Sequence, residues 1–331
     1  MIAKYEAKIS GTGHYVPKKI LNNFDLEKIV DTSDEWIRTR TGMFERRIAA
    51  EDEAVSDMAY HATLDALEMA GIKPKDLDMI IVGTISGDHP FPATACVLQK
   101  RLGIKNFPAF DISAGCTGWI YAANVAKQYI ENGIAKNILV IGAETLSKIT
   151  NYKDRNTCVL FGDGAGATII SRAEKKDISR FIDSEITADG TYYELLVQHA
   201  GGSRMPASHE TVDKNLHTVY MEGNKIFKLA IKSMYSVCDT VLKRNKMDVK
   251  SIDWLITHQA NLRIIEALGK KMKIDENKVI VNIEKYGNTS AATIPIALDE
   301  AVREGKVRKG DIVLMASFGA GLTSGSLLIR F

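Results

Sequence analysis

Long apolar runs are missing from this chain. No stretch approaches the roughly 18 consecutive apolar residues that a membrane-spanning helix needs, and the opening MIAKYEAKIS carries charges where a secretion signal needs an apolar core. Neither a membrane protein nor an exported one is expected, and a cytoplasmic location is. Cysteine is scarce as well. Cys96, Cys116, Cys158 and Cys238 form no CxxC pair and keep no spacing with histidine that marks a metal site. A disulfide scaffold and a zinc module are thereby excluded, and a reducing compartment fits. Charge of one sign is also lacking: 43 Lys and Arg against 41 Asp and Glu leave +2, which argues against a nucleic-acid-binding polycation. Each cysteine then needs its own account, starting from inert burial.

At 331 residues the chain has room for two domains, or for one large domain built from two similar halves. Strand-like runs alternate with helix-like ones, the mark of a layered α/β protein. Residues 78–84 (DMIIVGT) read as a strand after a helix over 55–72, where Val55, Met58, Ala59 and Ala62 share one face. The same order returns as a helix over 226–247 and a strand with its exit over 253–259, an offset of 175 residues (253 minus 78). GCTGWIYAANVAKQYI from Gly115 and GNTSAATIPIALDEAV from Gly287 are offset by 172 (287 minus 115). The strands NILVIG and DIVLMA are offset by 174 (311 minus 137). Both halves close on a glycine-rich turn and a last strand, FGDGAGATIIS and FGAGLTSGSLLIRF. Three matches in one order at nearly one offset predict a duplicated fold. The charged stretch RAEKKDISR (172–180) is the expected seam, giving an N-terminal half 1–172 and a C-terminal half 173–331. Residues 187–222 lack regular periodicity and read as an irregular binding segment.

Superposing the halves by the 172-residue offset sets Cys116 opposite Asn288, each at a strand-to-helix elbow, while His258 ends the strand LITH. Open α/β sheets bind ligands at the carboxyl ends of their strands. The three residues are therefore candidates to converge. Two readings of Cys116 stand at this point: a small core residue, or a nucleophile at the mouth of a helix. The second is chemically coherent. A helix N-terminus and a nearby imidazole favour thiolate, and flanking glycines clear space for a substrate carbonyl. Backbone N–H groups at the elbow, or in Gly319-Ala320-Gly321, suit an oxyanion hole. His258 alone reads as structural and Asn288 alone as a turn or cap residue. Together the three favour catalysis.

Six stretches stand out in order: DTSDEWIRTRTGMFERR (31–47), DISAGCTGW, DRNTCVLFGDGAGA (154–167), HQANLRII (258–265), YGNTSAATIP (286–295) and FGAGLTSG (318–325). By these motifs the chain resembles, over nearly its whole length, the β-ketoacyl-acyl-carrier-protein synthase III family, the initiating condensing enzymes of bacterial fatty acid synthesis. The resemblance implies a thiolase-like fold with two pseudo-symmetric mixed-sheet halves layered α-β-α-β-α. It implies decarboxylative condensation of a short acyl-CoA primer with malonyl-acyl-carrier protein, with no metal and no cofactor beyond these substrates. Cys116 is then the acyl-accepting nucleophile, His258 and Asn288 stabilise the enolate, and the N–H groups of Cys116 and Ala320 hold the oxyanion. Coenzyme A contacts carry over to Thr32, Trp36, Arg40, Arg155, Gly223, Phe227 and Asn261, with the adenine between Trp36 and Arg155. Trp119 and Phe318 match the acyl pocket, as does Phe91, which reaches into it across a homodimer interface. Lys228, Arg263, Lys270 and Lys271 match a basic surface for the acidic carrier protein. Neither nucleic acid nor membrane is an expected partner.

The chain departs from the family pattern around the nucleophile. Ala114-Gly115-Cys116-Thr117-Gly118-Trp119 replaces the usual Ala-Ala-Cys-Ser/Ala-Gly-Phe, and Ser324 stands where tryptophan is usual. Trp119 is expected to reshape the acyl pocket. Rival readings lack a residue each. A thiolase needs a second cysteine near the C-terminus, an elongating ketosynthase needs histidine in place of Asn288, and a non-catalytic partner subunit would lack Cys116. The papain-type motif is absent. The nearest rival is a paralogous synthase or acyltransferase of secondary metabolism with the same Cys-His-Asn set.

Overall fold

The apolar runs become strands that are covered on both faces. Met79–Gly83 is buried throughout and Asn137–Thr145 nearly so, as inner parallel strands under two helical layers must be. The computed structural model describes residues 4–331 and contains two five-stranded mixed sheets. The first holds β1 (Ala7–Tyr15), β2 (Met79–Gly83), β3 (Ala109–Ile112), β4 (Asn137–Thr145) and β5 (Asp163–Arg172) in the order β1-β5-β4-β2-β3. The second holds β6 (Arg180–Ala188), β7 (Trp254–Thr257), β8 (Val279–Ile280), β9 (Ile312–Gly319) and β10 (Thr323–Arg330) in the order β6-β10-β9-β7-β8. The two orders are the same, and so are the directions. In each sheet the first two pairings are antiparallel and the last two parallel.

Alternate residues of the inner strands face different layers. Ile81, Val140, Ile256 and Met315 face a central layer made by α2 (Gly118–Glu131) and α5 (Thr293–Arg303), whose Ile120, Ala123, Ile294 and Leu298 fill the space between the sheets. Ile80 and Leu139 face α1 (Val55–Ala70) on the outside of the first sheet. Leu255 and Leu314 face α3 (Gly223–Arg244) and α4 (Leu262–Met272) outside the second. Each such aliphatic side chain contributes about 1.5–3 kcal/mol on full burial, so five interlocked layers hold the central helices rigidly. The layers run α-β-α-β-α, duplicated as the repeats predict and thiolase-like as the family resemblance implies.

Two sequence readings need adjustment. Helix α2 begins at Gly118 and α5 at Thr293, an offset of 175 (293 minus 118), each after a 3-10 turn, Gly115–Thr117 and Ser290–Ala292. The first residue of each turn is left-handed, with φ +53° at Gly115 and +50° at Ser290. The structural counterpart of Cys116 is therefore Ala291, and the GCTG/GNTS match lies three residues out of register. The second adjustment concerns residues 187–222. They contain a 3-10 segment (Gly190–Leu195), a short helix (His209–Asp213) and two three-residue strands (Leu196–Gln198, Val219–Met221) that pair antiparallel. Strands that short show no period in a sequence.

Candidate active site

The approach to Cys116 is built by buried caps. Asp111, the first residue of DISAGCTGW, accepts the N–H groups of Thr94 at 2.6 Å and Ala95 at 2.9 Å, which fastens the end of β3 to the Thr94–Arg101 helix. Beyond it, Thr323 donates its hydroxyl to the carbonyl of Ala114 at 2.9 Å and Ser317 donates to the carbonyl of Cys116 at 2.8 Å. Both donors lie on the second sheet, so the elbow of one half is tied to the strand ends of the other. Two glycines let the backbones meet. A Cβ on Gly115 would lie 2.6 Å from the nitrogen of Ala320, and one on Gly319 would lie 2.5 Å from the nitrogen of Cys116. The backbone N–H groups of Cys116 and Ala320 are neighbours because neither glycine has a side chain.

His258 leaves the end of β7 with its N–H donated to Ala316 at 2.8 Å. Its Nδ1 sits 2.8 Å from Thr293 Oγ1 at the start of α5, which leaves Nε2 as the other ring nitrogen. Asn288 is held by its backbone, its N–H reaching Leu160 O at 2.9 Å and its carbonyl accepting Gly162 N–H at 3.0 Å. The side-chain Oδ1 accepts Ser290 N–H at 2.8 Å, so the amide group of Asn288 is its free donor. Cys116, His258 and Asn288 line one pocket, and its wall is apolar: Leu146, Phe161, Met221, Met234 and Phe318 among others. Three residues from distant parts of the chain thus line one pocket, although Cys116 and Asn288 are not structural counterparts.

Burial dominates the electrostatics. It pushes the Cys116 thiol from its ordinary 9.0 up to about 12, with the nearby charge of Glu144 adding to the rise and the Ser290 hydroxyl opposing it. His258 is lowered from 6.5 to about 3 by the same cause. A helix terminus is worth about 0.3–1 kcal/mol, which moves a pKa by less than one at about 1.36 kcal/mol each. Desolvation therefore wins. The resting pair is a neutral thiol and a neutral imidazole, and the thiolate expected from the helix N-terminus is not the ground state. Glu144, buried beside them, is raised to about 7 by burial although it accepts hydrogen bonds from Thr84 and Ser86.

The expected coenzyme A contacts fall into local pairs, none of which lines the Cys116 pocket itself. The Arg155 guanidinium lies over the Trp36 ring, 5.2 Å from its centroid, and donates to the carbonyl of Asp31 at 2.9 Å. Asn261 caps α4 and donates to the carbonyl of Arg40 at 3.0 Å, and Arg263 covers Phe227 at 5.6 Å. Thr32 presents a buried hydroxyl with no partner, and Gly223 opens α3 next to Met221. Lys228, Arg263, Lys270 and Lys271 are all exposed on α3 and α4. Phe91 is 85% exposed and stands outside the pocket of its own chain.

Trp119 corrects an expectation. It does not line the pocket but is 1% exposed in the core between the sheets, its Nε1 donating to Thr168 Oγ1 at 3.3 Å. The reason is helical geometry: three positions after Cys116 on α2, the side chain points across the layer rather than out of its end. Ser324 pairs with Phe318 across β9 and β10 and shares a hydrogen bond with Thr187 at 2.9 Å. Sequence reasoning missed Thr293, Ser290 and Glu144. It also missed Ile226, Ala230 and Met234, which face the pocket at four-residue spacing on α3 and read as ordinary core. Only the φ of Ser290 marks the turn as unusual, and a sequence does not display it.

A thiol at a helix mouth, an imidazole and a carboxamide line one pocket in a duplicated thiolase-like fold, and its relatives place the chain among the condensing acyltransferases. A family profile described as 3-oxoacyl-[acyl-carrier-protein] synthase III matches residues 110–190, and that of its C-terminal part matches residues 242–331. The β-ketoacyl-[acyl-carrier-protein] synthase III of Caldanaerobacter subterraneus subsp. tengcongensis is 58% identical over 331 residues, 100% of this chain and 99% of that one. The chain belongs to the β-ketoacyl-acyl-carrier-protein synthase III family. A relative of that name in Clostridioides difficile is 49% identical over 326 residues, 98% of each chain. The crystal structure of 3-oxoacyl-[acyl-carrier-protein] synthase III from Aquifex aeolicus VF5 superposes with a TM-score of 0.90 at 49% identity, covering 98% of this chain and 100% of that one.

Proposed function

We propose that the protein condenses a short acyl-CoA primer with malonyl-acyl-carrier protein and so starts fatty acid synthesis. The observation that supports this most is the meeting of Cys116, His258 and Asn288 in one apolar pocket beside the paired N–H groups of Cys116 and Ala320. In the first half-reaction Cys116 sulfur attacks the primer's thioester carbonyl. The N–H groups of Cys116 and Ala320 hold the oxyanion, the bond to the coenzyme A sulfur breaks, and the thiol proton ends on that sulfur. In the second, the malonyl carboxylate leaves as carbon dioxide and its electron pair forms an enolate. His258 and Asn288 donate hydrogen bonds to the enolate oxygen, which suits two neutral donors in an apolar site. The enolate carbon then attacks the acyl-cysteine, the Cys116 sulfur departs as thiolate, and it takes one proton from solvent to return to the neutral thiol.

Arg155 lies directly on Trp36, so an adenine between their two flat faces requires the pair to part, and Thr32, Arg40, Gly223, Phe227 and Asn261 are assigned to coenzyme A by the family match. The four cations Lys228, Arg263, Lys270 and Lys271 are exposed on α3 and α4 and suit an acidic carrier protein. A homodimer in the cytoplasm, with Phe91 completing the partner's acyl pocket, completes this reading. So does the division into halves at 172/173. No helix among the described residues is long and apolar enough to cross a membrane. The test is reconstitution with acetyl-CoA, isobutyryl-CoA and longer primers plus malonyl-acyl-carrier protein, following product and carbon dioxide. The reading predicts both with at least one short primer. Acylation of Cys116 with no carbon dioxide from any primer would mean a pure acyltransferase.

A further inference from the structure

One short segment ties down both side chains that line the pocket with Cys116. Asn288 accepts the N–H of Ser290, and Thr293, five residues on, touches His258. Thr293 is 3% exposed, and its hydroxyl oxygen lies 2.8 Å from His258 Nδ1 and 3.0 Å from the carbonyl of Ser290. The hydroxyl has one proton and two acceptors within reach. Given to the carbonyl, it leaves the oxygen to accept an Nδ1–H, and Nε2 then presents a bare lone pair to the pocket. Given to Nδ1, it places the ring proton on Nε2, which becomes a donor. A neutral imidazole has only these two forms. The carbonyl of Ser290 already accepts the backbone N–H of Thr293, so it is satisfied without the hydroxyl.

Resting on the condensation reading above, which needs a donor at Nε2, we propose that Thr293 donates its hydroxyl to His258 Nδ1 and fixes the Nε2–H tautomer for the decarboxylation step. Thr293 is then a positioning residue that acts through His258. The choice of tautomer matters little to acylation, where the backbone N–H groups hold the oxyanion, and much to enolate formation.

The experiment pairs kinetics with nitrogen-15 NMR of histidine-labelled protein. Thr293→Val keeps the shape without the hydroxyl, and Thr293→Ser keeps the hydroxyl. The expected spectrum shows His258 protonated on Nε2 in the parent and in Thr293→Ser, and shifted toward Nδ1–H in Thr293→Val. Acylation of Cys116 stays within twofold in Thr293→Val, carbon dioxide release falls about tenfold, the scale of one lost directed hydrogen bond, and Thr293→Ser restores it. An Nδ1–H ring in the parent protein overturns the proposal, and that arm requires no variant to fold. Equal loss of both half-reactions, or undiminished carbon dioxide release in Thr293→Val, overturns it too. A parent protein that releases no carbon dioxide at all defeats the condensation reading instead, while the NMR arm still decides where Thr293 places the proton.

Discussion

Replacing Gly319 by alanine should disable the first half-reaction while leaving the fold in place. Gly319 ends β9 with a φ that alanine adopts freely, so the substitution acts through space alone. Its Cβ would lie 2.5 Å from Cys116 N, 3.1 Å from Thr117 N and 3.2 Å from Cys116 Cα, all backbone atoms that cannot rotate aside. Ordinary contact begins at 3.4 Å, so the two backbones must part by close to an ångström. That carries the Cys116 N–H away from the N–H of Ala320 and opens the cradle for the oxyanion. Losing one oxyanion donor costs roughly 100- to 1,000-fold in rate. Overpacking by one methyl costs about 1–3 kcal/mol of stability, a few degrees in melting temperature for a chain of this size. The assay is rapid-quench mass spectrometry of acyl-Cys116 after mixing with acetyl-CoA, with circular dichroism reporting the fold. Acylation at least about 100-fold slower in a folded variant is expected. A folded Gly319→Ala protein that acylates within twofold of the parent would refute the assignment of these two N–H groups.

Other consequences follow from burial. Because burial pushes the Cys116 thiol up to about 12, alkylation by iodoacetamide should climb steadily from pH 7 to pH 10; a plateau near neutrality would show a stabilised thiolate. His258, lowered from 6.5 to about 3, is neutral in the folded protein where the unfolded chain takes up a proton. Its contribution to stability is therefore present above pH 6.5 and lost as pH falls toward 3. His258→Gln should flatten urea-unfolding stability across that window, and an unchanged slope would contradict the shift. Trp119→Phe should lower stability by about 1–2 kcal/mol, as a cavity in the core does, with primer preference unchanged, whereas Phe318→Ala should admit longer primers. Competition between acetyl-CoA and hexanoyl-CoA measures both, and a change of preference in Trp119→Phe would place Trp119 at the pocket after all.

The layered fold was legible because repetition is a statistical property of sequence. Apolar inner strands, α1 with Val55, Met58, Ala59 and Ala62 on one face, and three matches near a 175-residue offset all survive in linear form. Register was not. GCTG and GNTS look alike, yet the left-handed residues Gly115 and Ser290 pair Cys116 with Ala291. The meeting of Cys116, His258 and Asn288 was legible because His258 follows a strand end, Cys116 lies in the turn that leads into α2 and Asn288 just before the one that leads into α5. Their protonation was not, since the helix terminus is a local feature and burial depends on the whole pocket. Thr293 escaped notice because nothing in SAATIP shows that a hydroxyl there meets a ring 35 residues upstream. Trp119 was misplaced for a related reason: proximity in sequence to a nucleophile says little about which layer a side chain enters.

The central claim is that one cysteine holds the acyl group and one decarboxylation draws it off. Enzyme acylated at Cys116 with labelled acetyl-CoA, freed of excess coenzyme A and mixed once with malonyl-acyl-carrier protein, tests it in a single turnover. The account predicts that the label leaves Cys116 and appears in β-ketoacyl-acyl-carrier protein, with one carbon dioxide released per acyl group transferred. Label released as free acetate, or still on Cys116 after malonyl-acyl-carrier protein is added, with no carbon dioxide, would contradict it.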